Sequence, residues 1–138
     1  MSTSDLPERL RFRSFALERL PSSRCKARVE LGWGDDVSFV GESEGLASAA
    51  GELRCAAEAC VTALDRAVHG EVTLELLGVK AVKAFDNNVV IVSLAYQEKG
   101  EGQRLVGCFL ADVDSARGAA LAVLNATNRV LGNRFFMR

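Results

Sequence analysis

The sequence predicts an α+β domain built from two strand-strand-strand-helix units related by a pseudo-twofold axis, with two helices packed on antiparallel sheet. Three observations predict it. Two segments carry apolar residues at helical spacing, each follows three stretches of strand-like pattern, and short motifs in the first half recur in the second. At 138 residues, 49% hydrophobic and 25% charged, the chain suits one domain with one buried core. The units are expected at about 10–70 and 71–132, with residues 1–9 a flexible lead.

The first element is ambiguous locally. Leu10-Arg11-Phe12-Arg13-Ser14 alternates at period two and reads as a strand to about Arg19, yet Leu6, Leu10, Leu17 and Leu20 also fit a helical stripe after a Ser4 or Asp5 cap. Both prolines, Pro7 and Pro21, fall in this opening stretch, so nothing after them interrupts a strand or helix. Ala27, Val29 and Leu31 alternate with Lys26, Arg28 and Glu30, giving a half-buried strand over 26–31. Gly32-Trp33-Gly34-Asp35-Asp36 reads as its turn, and Val37 to Gly41 as its hairpin partner.

Residues 46–69 place Leu53, Ala57, Cys60, Val61, Leu64 and Val68 on one helical face, opposite Arg54, Glu58, Thr62, Asp65 and Arg66. His69 then sits in the last turn, where a cation-capable side chain complements the helix dipole, and Gly70 stops the helix. Val72 to Phe85 reads as a strand that bends at Gly78, and Asp86-Asn87-Asn88 as a tight turn. The return strand runs from Val89 to Tyr96, the polar stretch Gln97 to Gly102 forms a loop, and Leu105 to Ala111 is the last strand. A helix from about Asp112 can be capped by Asp112, Asp114 or Ser115 and buries Ala116, Ala120, Val123, Leu124 and Leu131.

The repeat sharpens this order. Arg28-Val29-Glu30-Leu31 matches Ile91-Val92-Ser93-Leu94, and Phe39-Val40-Gly41 matches Leu105-Val106-Gly107. On the same alignment Arg11 to Phe15 falls opposite Ala81 to Phe85, which favours a strand at the start. A duplicated unit buries one continuous core, and its axis is a natural place for a ligand or a partner subunit.

Charge and composition narrow the functions. Seventeen basic and eighteen acidic residues leave a net charge of −1, without the basic excess that phosphate neutralisation requires, so nucleic acid is not an expected partner. The longest apolar run, Val89 toward Tyr96, is too short to span a bilayer, and the N-terminus lacks the apolar core of a secretory signal. No membrane role is expected, and the cytoplasm is the expected location. Cys25, Cys55, Cys60 and Cys108 show no CxxC pair, and His69 is the only histidine, so no metal site or cofactor is expected and the thiols read as reduced, mostly buried small hydrophobes. Cys55 and Cys60, five apart on a helix, point in different directions and cannot bridge each other.

Several segments together resemble a known family. They are Leu10-Arg11-Phe12-Arg13-Ser14-Phe15; the glycines Gly41, Gly45 and Gly51 before a helix with Ala56 and Ala59; Val72-Thr73-Leu74-Glu75-Leu76-Leu77; and Ala119-Ala120-Leu121-Ala122-Val123-Leu124-Asn125. From about Leu10 onward the chain resembles the C-terminal regulatory domain of 2-isopropylmalate synthase and citramalate synthase. The resemblance implies the duplicated three-strand-plus-helix fold, a homodimer, and binding of an end-product amino acid, leucine or isoleucine, without the catalytic barrel. Two places depart from that family. Gly51-Glu52-Leu53-Arg54-Cys55 stands where the family has Gly-Pro-Val-Asp-Ala, replacing a proline and turning an acid into a base, and Asp112-Val113-Asp114-Ser115-Ala116 only approximates the family's second acidic run.

The candidate ligand-binding residues are accordingly Gly41, Gly45, Gly51 and Arg54 before and within the first helix, and Gly107, Asp112, Asp114 and Ser115 before the second. Backbone N–H groups at a helix start can hold a carboxylate or phosphate, whereas the structural reading is a glycine connection in Gly41 to Gly45 and simple capping at Asp112 to Ser115. Glu42 and Glu44 oppose an anion. Trp33, flanked by glycines, is a candidate contact for a partner protein if exposed, and otherwise folds over the sheet edge. Arg9, Arg11 and Arg13 read as a solvated strand face that discourages edge pairing.

No Ser-His-acid set offers itself for catalysis, so no catalytic residue is expected. The expected function is therefore a non-catalytic sensing or homodimerisation module. Two rivals remain: a protein-interaction module that has lost its ligand, and a hot-dog-type acyl-thioester enzyme using Glu52 or Glu58 as base, which would have one central helix instead of two equal ones.

Overall fold

In this computed structural model, residues 10–68 and 72–136 are described, with 132–136 as backbone only. The first unit runs β1 (Arg11–Leu20), β2 (Arg24–Trp33), β3 (Val37–Leu46) and α1 (Ala49–Ala67). The second runs β4 (Val72–Ala84), β5 (Asn87–Glu98), β6 (Glu101–Leu110) and α2 (Ser115–Phe136). Each unit forms its own antiparallel three-stranded sheet, β1-β2-β3 and β4-β5-β6. That order follows from the short hairpins, which can join only antiparallel neighbours.

Three hairpins turn on two residues with left-handed backbone: Ser22-Ser23 (φ 65 and 58), Phe85-Asp86 (φ 52 and 64) and Lys99-Gly100 (φ 55 and 83). This geometry matches the right-handed twist of the strands it connects. It also moves one turn from its expected place. Asn87 and Asn88 are already paired with Ala84 and Lys83, and Asn87 Nδ2 donates to the Phe85 carbonyl at 3.2 Å, so Phe85-Asp86 makes the bend.

The strands are longer than their alternating patterns. Gly32 and Trp33 belong to β2, paired with Ser38 and Val37, and the turn is confined to 34–36. The polar stretch at 97–102 is likewise mostly strand, since Gln97 pairs with Gly102 and Glu98 with Glu101. Gly41 to Gly45, expected as a connection into the helix, is also ladder: Gly41 lies opposite Val29 and Gly45 opposite Cys25.

Both helices start at side-chain caps. Ser48 Oγ accepts from the Gly51 N–H at 3.0 Å, and Asp114 Oδ1 accepts from the Arg117 N–H at 3.0 Å. The stripes expected from spacing are buried on both helices, joined by Ala56, Ala59 and Ala63 on α1 and by Ala119, Ala122 and Ala126 on α2. α1 closes at Val68, whose N–H donates to the Leu64 carbonyl at 3.0 Å. The roles expected of His69 and Gly70 lie outside the described residues.

Alanine on the helices and glycine on the third strands allow close contact between the layers. A Cβ at Gly41 would stand 2.1 Å from the Ala59 carbonyl oxygen, and one at Gly107 would stand 2.3 Å from that of Ala122. Gly41 pairs with Val29 and Gly107 with Val92, so the motif match between the halves is also a match of register. The match made for β1 is displaced: Phe15 lies opposite Val29 and Val79 opposite Val92, so Phe15 corresponds to Val79 and not to Phe85. Period-two alternation looks the same after an even-numbered slip, which is why pattern alone misplaced it.

Each helix lies on its own sheet, the helices touch one another, α1 also reaches β4, and α2 reaches β1. The Arg117 guanidinium sits 5.2 Å from the centroid of the Phe12 ring, tying the second helix to the first strand. One apolar core runs through both units.

Candidate functional site

The end of β3 and the first turns of α1 enclose a cleft of about 390 Å³, lined by Ser43, Glu44, Gly45, Leu46, Gly51, Arg54, Cys55 and Glu58. Its shape begins with a tight connection. The Ala47 N–H donates to the Ser23 carbonyl at 2.8 Å, which pins the chain as it leaves β3. Two glycines keep the passage narrow: a Cβ at Gly51 would meet the Leu46 carbonyl oxygen at 2.1 Å, and one at Gly45 would meet Cys55 Sγ at 2.6 Å.

Arg54 supplies the cationic group on the cleft wall. Its Nη2 lies 3.3 Å from Glu58 Oε1, one helical turn on, and 3.5 Å from the Leu76 carbonyl oxygen on β4. Arg54 therefore bridges the two units as well as lining the cleft. Glu52 turns elsewhere, pairing with Arg19 at 3.1 Å. The Gly51 N–H, which could have held an anion, is already taken by Ser48.

Below the cleft, Cys25 Sγ and Cys55 Sγ approach to 3.7 Å, and Cys25 also lies 3.4 Å from the Leu46 carbonyl oxygen. Both cysteines are buried and unbridged. Burial first, and the Cys25 contact second, push the Cys55 thiol up to about 11. It is thus a neutral thiol at neutral pH, giving the cleft a small, soft apolar wall instead of a nucleophile. Sequence spacing correctly separated Cys55 from Cys60 but could not show Cys25 arriving from β2.

The remaining candidates stand apart. Gly41 and Gly107 are covered by α1 and α2, where their role is to admit the helix backbone. Asp114 caps α2, while Asp112 is exposed and Ser115 opens the helix; none of the three lines the α1 cleft. Trp33 is half-buried against the core and does not project from the hairpin. Arg13 is exposed, as expected of a solvated face, and also reaches across β2: its guanidinium donates to the Gly34 carbonyl and to Ser38 Oγ, both at 2.6 Å. The glycine at 32 leaves room for that reach, a pairing that no local pattern encodes.

Other hollows lie among the described residues. One of about 550 Å³ lies at the β5–β6 hairpin beside Tyr96 and Glu98, whose side chains are hydrogen-bonded at 2.6 Å. Another, of about 330 Å³, lies between β6 and α2. Among the described residues no group of three or more His, Cys, Asp or Glu side chains is placed to hold a metal ion, and no helix is long and apolar enough to cross a membrane. No protein family and no curated protein matches the chain.

Proposed function

We propose that this chain is a non-catalytic regulatory-type module that holds a small molecule in the α1 cleft. The observation that carries the reading is that three residues picked out in the sequence, Gly45, Gly51 and Arg54, line one cleft although they come from two elements. Leu46, Cys55 and the glycines offer a compact apolar wall, and Arg54 with Glu58 offers an ion pair that a bound carboxylate or ammonium group can join. That chemistry suits a branched-chain amino or keto acid, in keeping with the resemblance to amino-acid-sensing domains. The free thiols of Cys25 and Cys55, 3.7 Å apart, suit a reducing compartment such as the cytoplasm.

Thermal unfolding in the presence of leucine, isoleucine, valine and their keto acids tests this. A ligand at 100 times its dissociation constant adds about 2.7 kcal/mol, which moves the midpoint of a domain this size by several degrees. The expected result is such a shift with at least one of them, lost in Arg54→Ala. No shift with any, or a shift unchanged by that substitution, rejects the cleft.

One observation favours a second reading, an assembly module without a ligand: Arg54 already has Glu58 and the Leu76 carbonyl within reach. The acyl-thioester enzyme reading has less support, because Glu52 and Glu58 are each paired with an arginine, and the two helices have equal standing in the fold.

A further inference from the structure

The outer face of the second sheet carries apolar residues with no described residue over them. Ile91, Val106 and Leu110 are 37%, 66% and 53% exposed, with Cys108 exposed between the last two. The turn beyond them holds Phe85, 98% exposed. A sheet that is apolar on both faces is normally covered on both.

The register shows what fits there. Across β4, β5 and β6 the outward rows read Glu75-Ala95-Arg104, Gly78-Ser93-Val106, Lys80-Ile91-Cys108 and Val82-Val89-Leu110. Consider a second copy laid face to face about a twofold axis parallel to β5. Such an axis keeps each row at its own height and exchanges the flanking strands, so β4 of one copy covers β6 of the other. Glu75 then meets Arg104 twice, and among the described residues neither has an ion-pair partner within its own chain. Gly78, with no atom of a described residue other than its chain neighbours within 4 Å of where its Cβ would be, offers a space for the protruding Val106 of the other copy. Val82 covers Leu110, and Ile91 packs on Ile91.

We infer that the outer face of β4-β5-β6 is a homodimer interface, isologous about an axis along β5, with Glu75–Arg104 and Gly78–Val106 as its reciprocal contacts. The inference goes beyond the ligand reading and is independent of it, because the α1 cleft is on neither of these strands' outward rows. Three strands spaced about 4.8 Å apart over some nine residues present a flat area on the order of 400 Å² per copy before side-chain relief. Over both copies that is about 800 Å², below the roughly 1,200 Å² of a standard specific interface, so association is weak, reversible and dependent on concentration.

Sedimentation velocity across a wide concentration range, with circular dichroism to confirm folding, tests it. Wild-type protein is expected to shift from monomer to dimer as concentration rises. Ile91→Asp and Gly78→Leu are expected to remain monomeric, the latter because its side chain has open space in the single chain but collides with Val106 of the second copy. E75R alone and R104E alone are each expected to weaken association about tenfold by placing like charges opposite one another. A mixture of the two is expected to associate again, since both reciprocal contacts are then oppositely charged. A wild type that is monomeric throughout, a dimer that survives Ile91→Asp or Gly78→Leu, or a mixture no tighter than its components overturns the inference. Loss of the dimer with an intact ligand-induced thermal shift would remove this interface alone.

Discussion

The central strands of the two sheets invite direct comparison, because Val29 in β2 and Val92 in β5 face the same glycine contact beneath their helices. Toward the core they agree: Ala27, Val29 and Leu31 are fully buried in one, and Val90, Val92 and Leu94 in the other. Away from the core they diverge. Lys26, Arg28 and Glu30 of β2 correspond to Val89, Ile91 and Ser93 of β5. The first set is bound into a polar lattice, with Lys26 3.4 Å from Glu42 and Glu30 accepting from Ser38 Oγ at 2.9 Å. The second set has no such partners among the described residues.

The difference separates two kinds of constraint. Inner positions are held by a helix backbone that sits too close for any side chain at Gly41 or Gly107, so both copies must keep them. Outer positions answer only to what lies outside the unit. A charged lattice keeps the first sheet solvated and resists edge pairing, whereas an apolar face in the second leaves a surface for another molecule.

The strongest way to break this comparison is at the shared contact. Gly41→Ala and Gly107→Ala should each cost about 3 kcal/mol or more in urea unfolding, because the new Cβ meets helix backbone. Gly78→Ala should stay within about 0.5 kcal/mol, having open space. Equal costs at all three positions would remove the distinction between inner and outer faces.

The next effect comes from the buried thiol beneath α1. Burial pushes Cys60 from the usual 9.0 up to about 12, so the folded state keeps the proton while the unfolded chain loses it. This contribution is fully present below pH 9, and it is lost as pH rises from there toward 12. At about pH 10 the share of the loss due to Cys60 should be about 1.4 kcal/mol, read as the difference in the pH dependence of unfolding free energy between wild type and Cys60→Ala, with Cys55, raised to about 11, supplying the slope that remains. The second unit has no described buried cysteine, so its local stability, read by hydrogen exchange, should change less over that range.

The helix caps sharpen the likeness between units. Ser48→Ala and Asp114→Ala should each cost about 1 kcal/mol, since each removes one acceptor from an N-terminal N–H. Markedly unequal costs would mean that the two helices are not equivalent in the fold.

Much of this architecture was legible in the residues. Element order, both helical stripes and a cap among Asp112, Asp114 and Ser115 follow from periodicity and turn chemistry, while the bend expected at Gly78 is a shift of register between Leu76 and Gly78 within a continuous strand. What escaped is non-local. Gly41 and Gly45 carry the composition of a loop but serve close packing, a reason visible only once α1 lies across them. Phe85 occupies a left-handed turn position that asparagine would fill more easily, so the neighbouring asparagines drew the turn forward. Gly45, Gly51 and Arg54 were named and do share a cleft, while Cys55, Leu46 and Glu58 joined them only through the β3–α1 connection. The outer face left a sequence signal. Val89-Val90-Ile91-Val92 does not alternate, and an unbroken apolar strand is the mark of one covered on both sides.

Cys108 lies in the same outward row as Ile91, exposed, and so reports directly on that face. The decisive measurement is its rate of labelling by a thiol reagent at neutral pH as protein concentration is raised, followed by mass spectrometry to assign the site. A rate that falls as concentration rises, with Arg28→Ala on the other sheet behaving like wild type, is the result expected if the second sheet is covered by another copy. A rate independent of concentration would contradict it and leave the two outer faces alike in function.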